Sequence, residues 1–444
     1  MNYGIVVKIL GYILIIKSIL LLPSTVIAFS GNESSLQAFL ITLAASMLTG
    51  IALSLFPAKN RTIKAKEGLG IVTFGWIIVS VFGALPLFLS GSVPTYIDAL
   101  FETISGFTTT GASLIENVEI LPKSILFWRS FTHWIGGMGI LVFTIALIPA
   151  LGIGGLHIYK AESPGPVAGK IVPRIKDTAR TLYFTYFTLT FTEFVLLLFA
   201  GMNLFDASVY TFATVGTGGF GVHSDSIGGF PTSIHLIITV FMILAGISFS
   251  LYFLLYQKKY KDFLKDPEFK LYLKIIGFSV VFIALNLFFT NYGTALLSLR
   301  DAFFQVGSIM TTTGFSTADF DLWPTFSKII LVLLMFIGGS AGSTAGGMKV
   351  IRILIILKLI KREMSKMFHP RAYVPIKLGK KTLSNEVIAR TNSFLALHLF
   401  VFIIGTLLIS LEGIDLISAT TSVAATLNNI GPGLGLVGPM ENYV

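Results

Sequence analysis

Nine segments of this 444-residue chain are apolar over stretches long enough to cross a lipid bilayer. A helix needs about 20 residues to cross ~30 Å of hydrocarbon, and each segment is close to or above that length. The predicted spans are residues 5–29, 36–56, 69–92, 124–150, 180–202, 233–256, 271–290, 326–360 and 390–411. The sequence therefore predicts an all-α polytopic membrane protein.

Composition and charge agree with this class. Charged residues make up 12% of the chain and the mean hydropathy is +0.83, whereas a soluble domain averages about 25% charged residues. The net charge of +10 does not indicate a nucleic-acid partner, because the basic residues occupy short loops between spans. The chain has no cysteine, which excludes a disulfide scaffold, thiol chemistry and a Cys-ligated metal site.

The first span has an alternative interpretation as a secretory signal peptide. The stretch "STVIAFS" places small residues after an apolar run, as a cleavage site does. However, Lys17 interrupts that run and a second span follows at once. We therefore expect a retained helix.

The basic residues also predict orientation. Most of the 32 Lys and Arg residues lie in four loops, 57–67, 153–180, 256–275 and 349–390. Loops rich in Lys and Arg stay in the cytoplasm. The sequence predicts that these loops, together with the N-terminus, are cytoplasmic in a multi-pass membrane protein, and the family resemblance described below implies the inner membrane of a prokaryote.

One pattern recurs four times in the segments predicted on the outer side. The copies are "DALFETISGFTTTGA" (98–112), "DASVYTFATVGTGGF" (206–220), "DAFFQVGSIMTTTGF" (301–315) and "SATTSVAATLNNIGP" (418–432). Each runs thirteen residues from an Asp or Ser to a glycine. We expect that first residue to cap a helix, and about nine residues to form a helix of half-membrane length. The capping residues would be Asp98, Asp206, Asp301 and Ser418.

The end of each copy predicts a path for a cation. The carbonyl end of a helix is its negative end, and glycine gives the chain the freedom to turn back. Irregular backbone at membrane depth survives where it lines a water-filled cavity. Four such ends together would form a ring of carbonyl oxygens suited to a monovalent cation. One copy alone would favour a packing element without a pore, but four equally spaced copies favour a filter.

The stretches "FTTTGAS", "ATVGTGGFG", "MTTTGFST" and "NNIGPGLG" complete a resemblance to a known family. The chain resembles the Trk/Ktr/HKT superfamily of potassium transport proteins, and within it the TrkH-type bacterial pore subunits, over essentially its whole length. The resemblance implies potassium uptake, a homodimer, and a cytosolic TrkA-like ring that binds a nucleotide (NAD, ATP or ADP). No cofactor is expected on this chain apart from K⁺ as the transported ion.

The resemblance also implies the residues of the filter. One glycine per loop is the key position, and related plant carriers with serine in the first loop tend to favour sodium, so Gly111 indicates potassium. The implied K⁺-binding residues are Thr108, Thr109, Thr110, Gly111, Gly216, Thr217, Gly218, Gly219, Thr311, Thr312, Thr313, Gly314, Asn428, Asn429, Ile430 and Gly431.

We expect two extra N-terminal helices followed by four helix–pore-loop–helix units in a pseudo-fourfold arrangement. The expected boundaries are 1–57 for the extra helices, then 68–152, 178–257, 271–361 and 388–444 for the pore units. In the fourth unit the stretch after Gly431, "PGLGLVGPMENYV", is too short to form a second membrane helix. Either the sequence is truncated relative to its gene, or that unit is completed in another way.

A glycine-rich stretch interrupts the span 326–360. Small residues at this density permit close helix packing, but they are poor for a continuous helix. The phosphate-loop pattern is excluded, because its Gly-Lys-Ser/Thr end is missing. The TrkH-type resemblance implies an intramembrane gate, whose residues would be Gly338, Gly339, Ser340, Ala341, Gly342, Ser343, Thr344, Ala345, Gly346, Gly347, Lys349 and Arg352. Lys349 and Arg352 either act on the partner or the pore, or are ordinary cytoplasmic charges.

Isolated polar residues leave alternatives open. Arg129 either pairs with a carboxylate of the pore loops or extends to the membrane interface. Glu193 lies deep in a span, where it is a structural residue or a proton-coupling site. His133 has no second metal ligand near it in sequence, and no nucleophile–base grouping occurs, so we expect no enzyme activity. Function is then a channel-like pore or, alternatively, a K⁺ carrier coupled to H⁺ or Na⁺.

Overall fold

The computed structural model describes residues 2–58, 63–139, 175–372, 374–379 and 381–443. These residues form helices almost throughout, and the strands among them are one short antiparallel pair, Lys377–Leu378 and Lys381–Thr382. The all-α membrane class predicted from the sequence is confirmed.

The described residues contain six helices that are long and apolar enough to cross a membrane. They are Tyr3–Ser30, Leu36–Ser54, Lys66–Leu89, Leu182–Phe199, Pro267–Thr290 and Asn385–Glu412. Each coincides with a predicted span. The predicted span 124–150 begins as the helix Lys123–Gly137, and its later part lies outside the described residues.

The N-terminal segment forms a close helical hairpin. It consists of α1 (Tyr3–Leu20), α2 (Leu22–Ser30) and α3 (Leu36–Ser54). A Cβ on Gly11 would lie 2.6 Å from the carbonyl oxygen of Gly50, so glycine is what lets the two backbones approach.

Lys17, which interrupts the first apolar run, is fully buried in this hairpin. Its ammonium donates to the Phe82 carbonyl at 3.0 Å and lies 5.6 Å from the ring centre of Trp128. Phe82 belongs to the next helix, α4 (Ala65–Leu89), and Trp128 to α6 (Lys123–Gly137). The first helix is therefore part of the packed structure, and its retention stays a prediction.

Four shorter helices correspond to the four copies of the repeat. They are α5 (Tyr96–Thr108), α8 (Leu204–Gly216), α13 (Ala295–Met310) and α17 (Leu416–Asn428). We call them pore helices one to four. Between them lie α7 (Ile175–Phe199), α9 (Thr232–Ala245), α10 (Phe249–Tyr256), α11 (Tyr260–Lys265), α12 (Pro267–Leu287), α14 (Thr325–Ile337), α15 (Val350–Phe368) and α16 (Asn385–Ile409).

The predicted capping residues are wrong by three or more positions. Thr95 and Asn203 cap the first two pore helices, and each accepts from the amide of the aspartate that the sequence had suggested as the cap. Asp415 caps the fourth and accepts from the Ser418 amide at 3.1 Å. The third helix begins at Ala295, before Asp301. In the first helix, Asp98 is the reciprocal member of a capping box, and for that reason it resembles a cap in sequence.

The predicted span 233–256 is not one continuous helix. It is two helices, α9 and α10, bent by 93° at residues 246–248. The predicted span 326–360 is also interrupted, between α14 and α15, at the glycine-rich stretch where the sequence predicted a break.

The chain divides into two compact units. The first comprises the described residues up to 227 together with 442–443, and it holds pore helices one and two. The second comprises the described residues from 228 to 441 and holds pore helices three and four.

Candidate ion filter and gate loop

All four pore helices end in the same hydrogen-bonded turn. In the first, the Thr109 amide donates to Gly106 O at 3.1 Å and the Thr110 amide donates to Ser105 O at 2.9 Å. This is the Schellman arrangement, which closes a helix with a left-handed residue. Equivalent pairs of bonds, 2.8–3.2 Å long, are donated by Thr217 and Gly218, Thr312 and Thr313, and Asn429 and Ile430.

The left-handed residue of each turn is not glycine. The φ angles are 62° at Thr109, 56° at Thr217, 57° at Thr312 and 67° at Asn429. This conformation is uncommon for non-glycine residues and a genuine outlier for β-branched threonine. Such strain costs on the order of 1–3 kcal/mol per residue and concentrates at functional sites.

The predicted role for glycine applies two residues later. Gly111, Gly219 and Gly314 have φ angles of 81°, 83° and 89°. The chain therefore turns twice in each of these loops, first at threonine and then at glycine. No signal in the sequence distinguished the first turn, because Thr and Asn usually adopt ordinary φ values.

The turn leaves carbonyl groups at the end of each pore helix. A Schellman turn satisfies two carbonyls of the last turn, and those that follow have no helical amide ahead of them. They carry the negative end of the helix dipole. Such oxygens can replace the water around a monovalent cation.

Each pore helix holds the outgoing limb of its own loop through a side chain. Glu102 accepts from the Leu114 amide at 3.1 Å in the first repeat. Tyr210 donates to Ser226 O at 2.7 Å in the second. The corresponding bonds are Ser308 to Phe315 O at 2.6 Å in the third repeat and Thr421 to Leu434 O at 3.1 Å in the fourth. The path of each loop is therefore fixed from behind.

The first of these braces contains a buried ion pair. Arg129 donates through Nε to Glu102 at 2.9 Å, and the two side chains are at most 3% exposed. The Arg129 guanidinium also lies 4.2 Å from the ring centre of Phe220, which follows the second loop. Of the two alternatives for Arg129, pairing with a carboxylate is correct.

His133 joins the first and second loops. Its Nδ1 lies 2.8 Å from Gly106 O, and its Nε2 accepts from the Phe220 amide at 3.3 Å. Because Nε2 accepts a hydrogen, the proton is on Nδ1 and the ring is neutral. A Cβ on Gly218 would lie 2.2 Å from the imidazole, so the ring fills the space that this glycine leaves. Sequence reasoning missed this role.

The third and fourth loops also touch each other. A Cβ on Gly314 would lie 3.0 Å from Pro432 Cδ and 3.2 Å from the Gly431 amide nitrogen. The key glycines of these two loops are therefore adjacent in the second unit.

The glycine-rich stretch Gly338–Gly347, which we call the gate loop, lies directly against these two filter loops. The Gly346 amide donates to the Thr312 hydroxyl at 2.6 Å, and the Gly347 amide donates to Asn428 O at 2.9 Å. A Cβ on Gly346 would lie 2.5 Å from Asn428 O. A carbonyl oxygen at the end of the fourth pore helix, that of Asn428, is thus already hydrogen-bonded to an amide of the gate loop.

Lys349 and Arg352 are bound to the same segment. Lys349 is buried, has a φ of 76° and donates to Ala345 O. Arg352 donates to Met348 O at 2.8 Å, and its guanidinium lies 3.8 Å from the ring centre of Phe394. Both charges bind carbonyl groups at the C-terminal end of the gate loop, which favours a role in the loop over ordinary surface charge.

Glu193 is fully buried on α7. Within the described residues, neither carboxyl oxygen makes a hydrogen bond of normal geometry. Thr214 of the second pore helix and Tyr186 of α7 lie close enough to act on it. The described residues hold no group of three or more His, Asp or Glu side chains that could bind a metal ion. A cation at the pore loops would therefore depend on carbonyl and hydroxyl oxygens.

Comparisons with known proteins agree with this architecture. The model of the TrkH family, described as cation transport protein, matches residues 35–441. The Trk system potassium uptake protein TrkH of Escherichia coli (strain K12) is 40% identical over 443 residues, which cover 98% of this chain and 92% of that one. The TrkG protein of the same organism is 35% identical over 436 residues, or 97% of this chain and 90% of its own length.

A solved structure is similar over the same extent. The crystal structure of the potassium transporter TrkH from Vibrio parahaemolyticus superposes with a TM-score of 0.87 at 36% identity, covering 98% of this chain and 92% of that chain. These relatives are named as transporters, in agreement with the prediction that the chain is not an enzyme. The chain belongs to the TrkH family of cation transport proteins.

Proposed function

We propose that this protein takes up potassium ions across the cytoplasmic membrane through a channel-like path with a four-loop carbonyl filter. The observation that carries the proposal is the fourfold recurrence of one strained helix end, with a left-handed Thr or Asn two residues before a glycine. Relatives named as potassium uptake proteins support the choice of ion.

Carbonyl oxygens would be the main ligands. Potassium loses part of its hydration shell in a filter, and backbone carbonyls replace the lost water. This explains why side chains differ around the ring, from Thr110 in the first loop to Ile430 in the fourth. The proposed filter residues are 108–111, 216–219, 311–314 and 428–431.

The gate loop would close the path from the cytoplasmic side. Its amides occupy the Thr312 hydroxyl and the Asn428 carbonyl, so the loop and an ion compete for oxygen atoms at the inner end of the filter. Opening requires these two bonds to break. A homodimer and a cytosolic nucleotide-binding ring would control that step, and the basic cytoplasmic loops suit an acidic partner face.

The second candidate function is a K⁺ carrier coupled to H⁺ or Na⁺. The observation that favours it is the full burial of Glu193, which forms no ion pair with a basic side chain among the described residues. A buried carboxyl in a membrane span is a default candidate for proton transfer.

Ion flux from the reconstituted protein distinguishes the two functions. Vesicles would be prepared with set K⁺, Na⁺ and H⁺ gradients and a clamped membrane potential. For a channel we expect flux to follow the K⁺ gradient and the potential, with no effect of the other gradients. Uphill K⁺ movement driven by a pH or Na⁺ gradient, and its loss in Glu193→Gln, would instead establish the carrier.

A further inference from the structure

Glu268 makes an unusual pair of contacts with the gate loop. It lies in the first turn of α12 and is only 9% exposed. One carboxylate oxygen, Oε1, accepts from the Ala341 amide at 2.7 Å and from the Ile351 amide at 3.1 Å. Ala341 is inside the loop and Ile351 is just beyond its C-terminal end, so a single oxygen holds the segment at two points.

Both amides need this acceptor. Ile351 is in the first turn of α15, where backbone amides lack a helical partner. Ala341 is in irregular, half-buried backbone, where an amide shielded from water needs a protein acceptor. A carboxylate also suits the positive end of the α15 dipole. Lys349, between the two amides in sequence, is close enough to attract the carboxylate.

Little else is available to hold the loop in place. Its residues are Gly, Ala, Ser and Thr, whose side chains bury little apolar surface. Its position therefore depends mainly on polar contacts. Outside the filter loops these contacts include Glu268 and the bend between α9 and α10, where the Ser340 amide donates to Gly246 O at 2.9 Å and the Phe249 amide donates to Gly342 O at 2.8 Å. The start of α15 adds the Lys349 ammonium on Ala345 O and the Val350 amide on Gly339 O at 3.0 Å.

We propose that Glu268 is the positioning residue that keeps the gate loop against the third and fourth filter loops. It acts through the loop and does not bind the ion. Loss of its oxygen leaves two half-buried amides without this acceptor, and they gain fuller access to water when the loop leaves its closed position. The proposal rests on the proposed gate function, and its test separates the two.

The test uses the full chain reconstituted in vesicles. Because the protein has no native cysteine, a cysteine at Ser343, inside the loop and 8% exposed, is a unique reporter of loop position. In this background we compare Glu268→Ala, Glu268→Gln and, as a second disruptive variant, Glu268→Asp, whose shorter side chain does not reach both amides. The matched control is Glu363→Ala, since that carboxylate is exposed and pairs with Arg362. The readouts are the rate of thiol labelling from the cytoplasmic side and K⁺ flux.

Glu268→Ala should label about tenfold faster than its parent, which corresponds to about 1.4 kcal/mol, and its K⁺ flux should rise. Glu268→Gln keeps a carbonyl oxygen, so its labelling should stay within about threefold of the parent. The Glu363→Ala control should not change. Parental labelling rates in folded Glu268→Ala and Glu268→Asp would overturn the proposal, as would a Gln variant that labels as fast as the Ala variant.

Shortening the loop from Gly339 to Gly346 distinguishes failure of this proposal from failure of the gate. If the shortened protein conducts more but Glu268→Ala leaves labelling and flux unchanged, the gate remains and Glu268 does not position it. If Glu268→Ala accelerates labelling while neither change affects flux, Glu268 positions the loop and the loop is not the gate.

Discussion

Gly111 carries the residue-scale prediction on selectivity. Its φ of 81° is one that a serine adopts only with strain, on the order of 1–2 kcal/mol. Gly111→Ser should therefore shift the carbonyls of the first loop and lower the permeability of K⁺ relative to Na⁺. Reversal potentials under biionic conditions measure the ratio.

Gly91→Ser is the matched control for strain alone. Gly91 has a φ of 71° and no atom within 4 Å of the position of a Cβ, so it reproduces the backbone cost at a surface turn. We expect a similar loss of thermal stability without a change in selectivity. An unaltered permeability ratio in folded Gly111→Ser would remove Gly111 from the filter.

His133 is the second residue whose substitution should change ion selectivity. His133→Leu removes both hydrogen bonds and leaves the buried Phe220 amide without its acceptor, at a cost of about 1–3 kcal/mol, while Gly106 O keeps its bond from the Thr109 amide. We expect a lower melting temperature together with a lower K⁺/Na⁺ permeability ratio. The control, His369→Leu, changes an exposed histidine at the end of α15. A destabilised His133→Leu protein with parental selectivity would mean that the ring supports the fold and does not shape the filter.

At the scale of elements, the two ends of the gate loop lie close enough together for the segment between them to be removed. Its ends already meet, because a Cβ on Gly338 would lie 2.7 Å from Gly347 Cα. Removal of residues 339–346 should raise K⁺ flux without a partner. The closed state of such two-state elements is favoured by a few kcal/mol, so an increase of about tenfold or more is expected. Selectivity should stay nearly intact, since the filter glycines are outside the deleted segment.

A point substitution provides a milder version of the same change. Gly346→Ala places a Cβ 2.5 Å from Asn428 O and should push the loop away from the filter. Gly277→Ala, where nothing lies within 4 Å of the added carbon, is the matched control and should conduct like the parent. Unchanged or reduced flux in both the shortened and the Gly346→Ala proteins would make the segment a packing element.

The elements were largely predictable from the sequence, because they depend on local properties. Apolar length predicted the spans, equal spacing predicted the four pore helices, and glycine density predicted the break between α14 and α15. The bend at residues 246–248 was missed, because a single Gly and Ser in an apolar run look compatible with a helix. The exact caps were missed because Asp98 and Asp206 occupy the third helical position, where acidic residues are also favoured.

The contacts that shape the site were not predictable, because they join residues far apart in the chain. Glu268 and Ala341 are 73 positions apart, and Phe220 and His133 are 87 apart. Nothing in the local pattern around Glu268 or His133 marks the partner. The candidate filter and gate residues themselves were predicted from the repeat and from the family resemblance.

For the whole molecule, the distribution of basic residues makes a topological prediction. Single cysteines at positions 160, 261 and 380 should react with impermeant reagents only from the cytoplasmic side. Residue 261 lies exposed on α11, whereas 160 and 380 are outside the described residues. A cysteine at the exposed Asp225 should react only from the other side. Reaction of any of the first three from outside would contradict the arrangement of four pore units.

The bend between α9 and α10 has a mechanical consequence for the whole molecule. The gate loop is bonded to the start of α10 through Phe249 and to the start of α12 through Glu268. The short segment that joins these two helices, including α11, faces the cytoplasm in the predicted topology. A force applied to that segment from the cytosol is therefore delivered to the loop at two attachment points at once. Displacement of this segment at the cytoplasmic face would therefore displace the gate loop within the membrane.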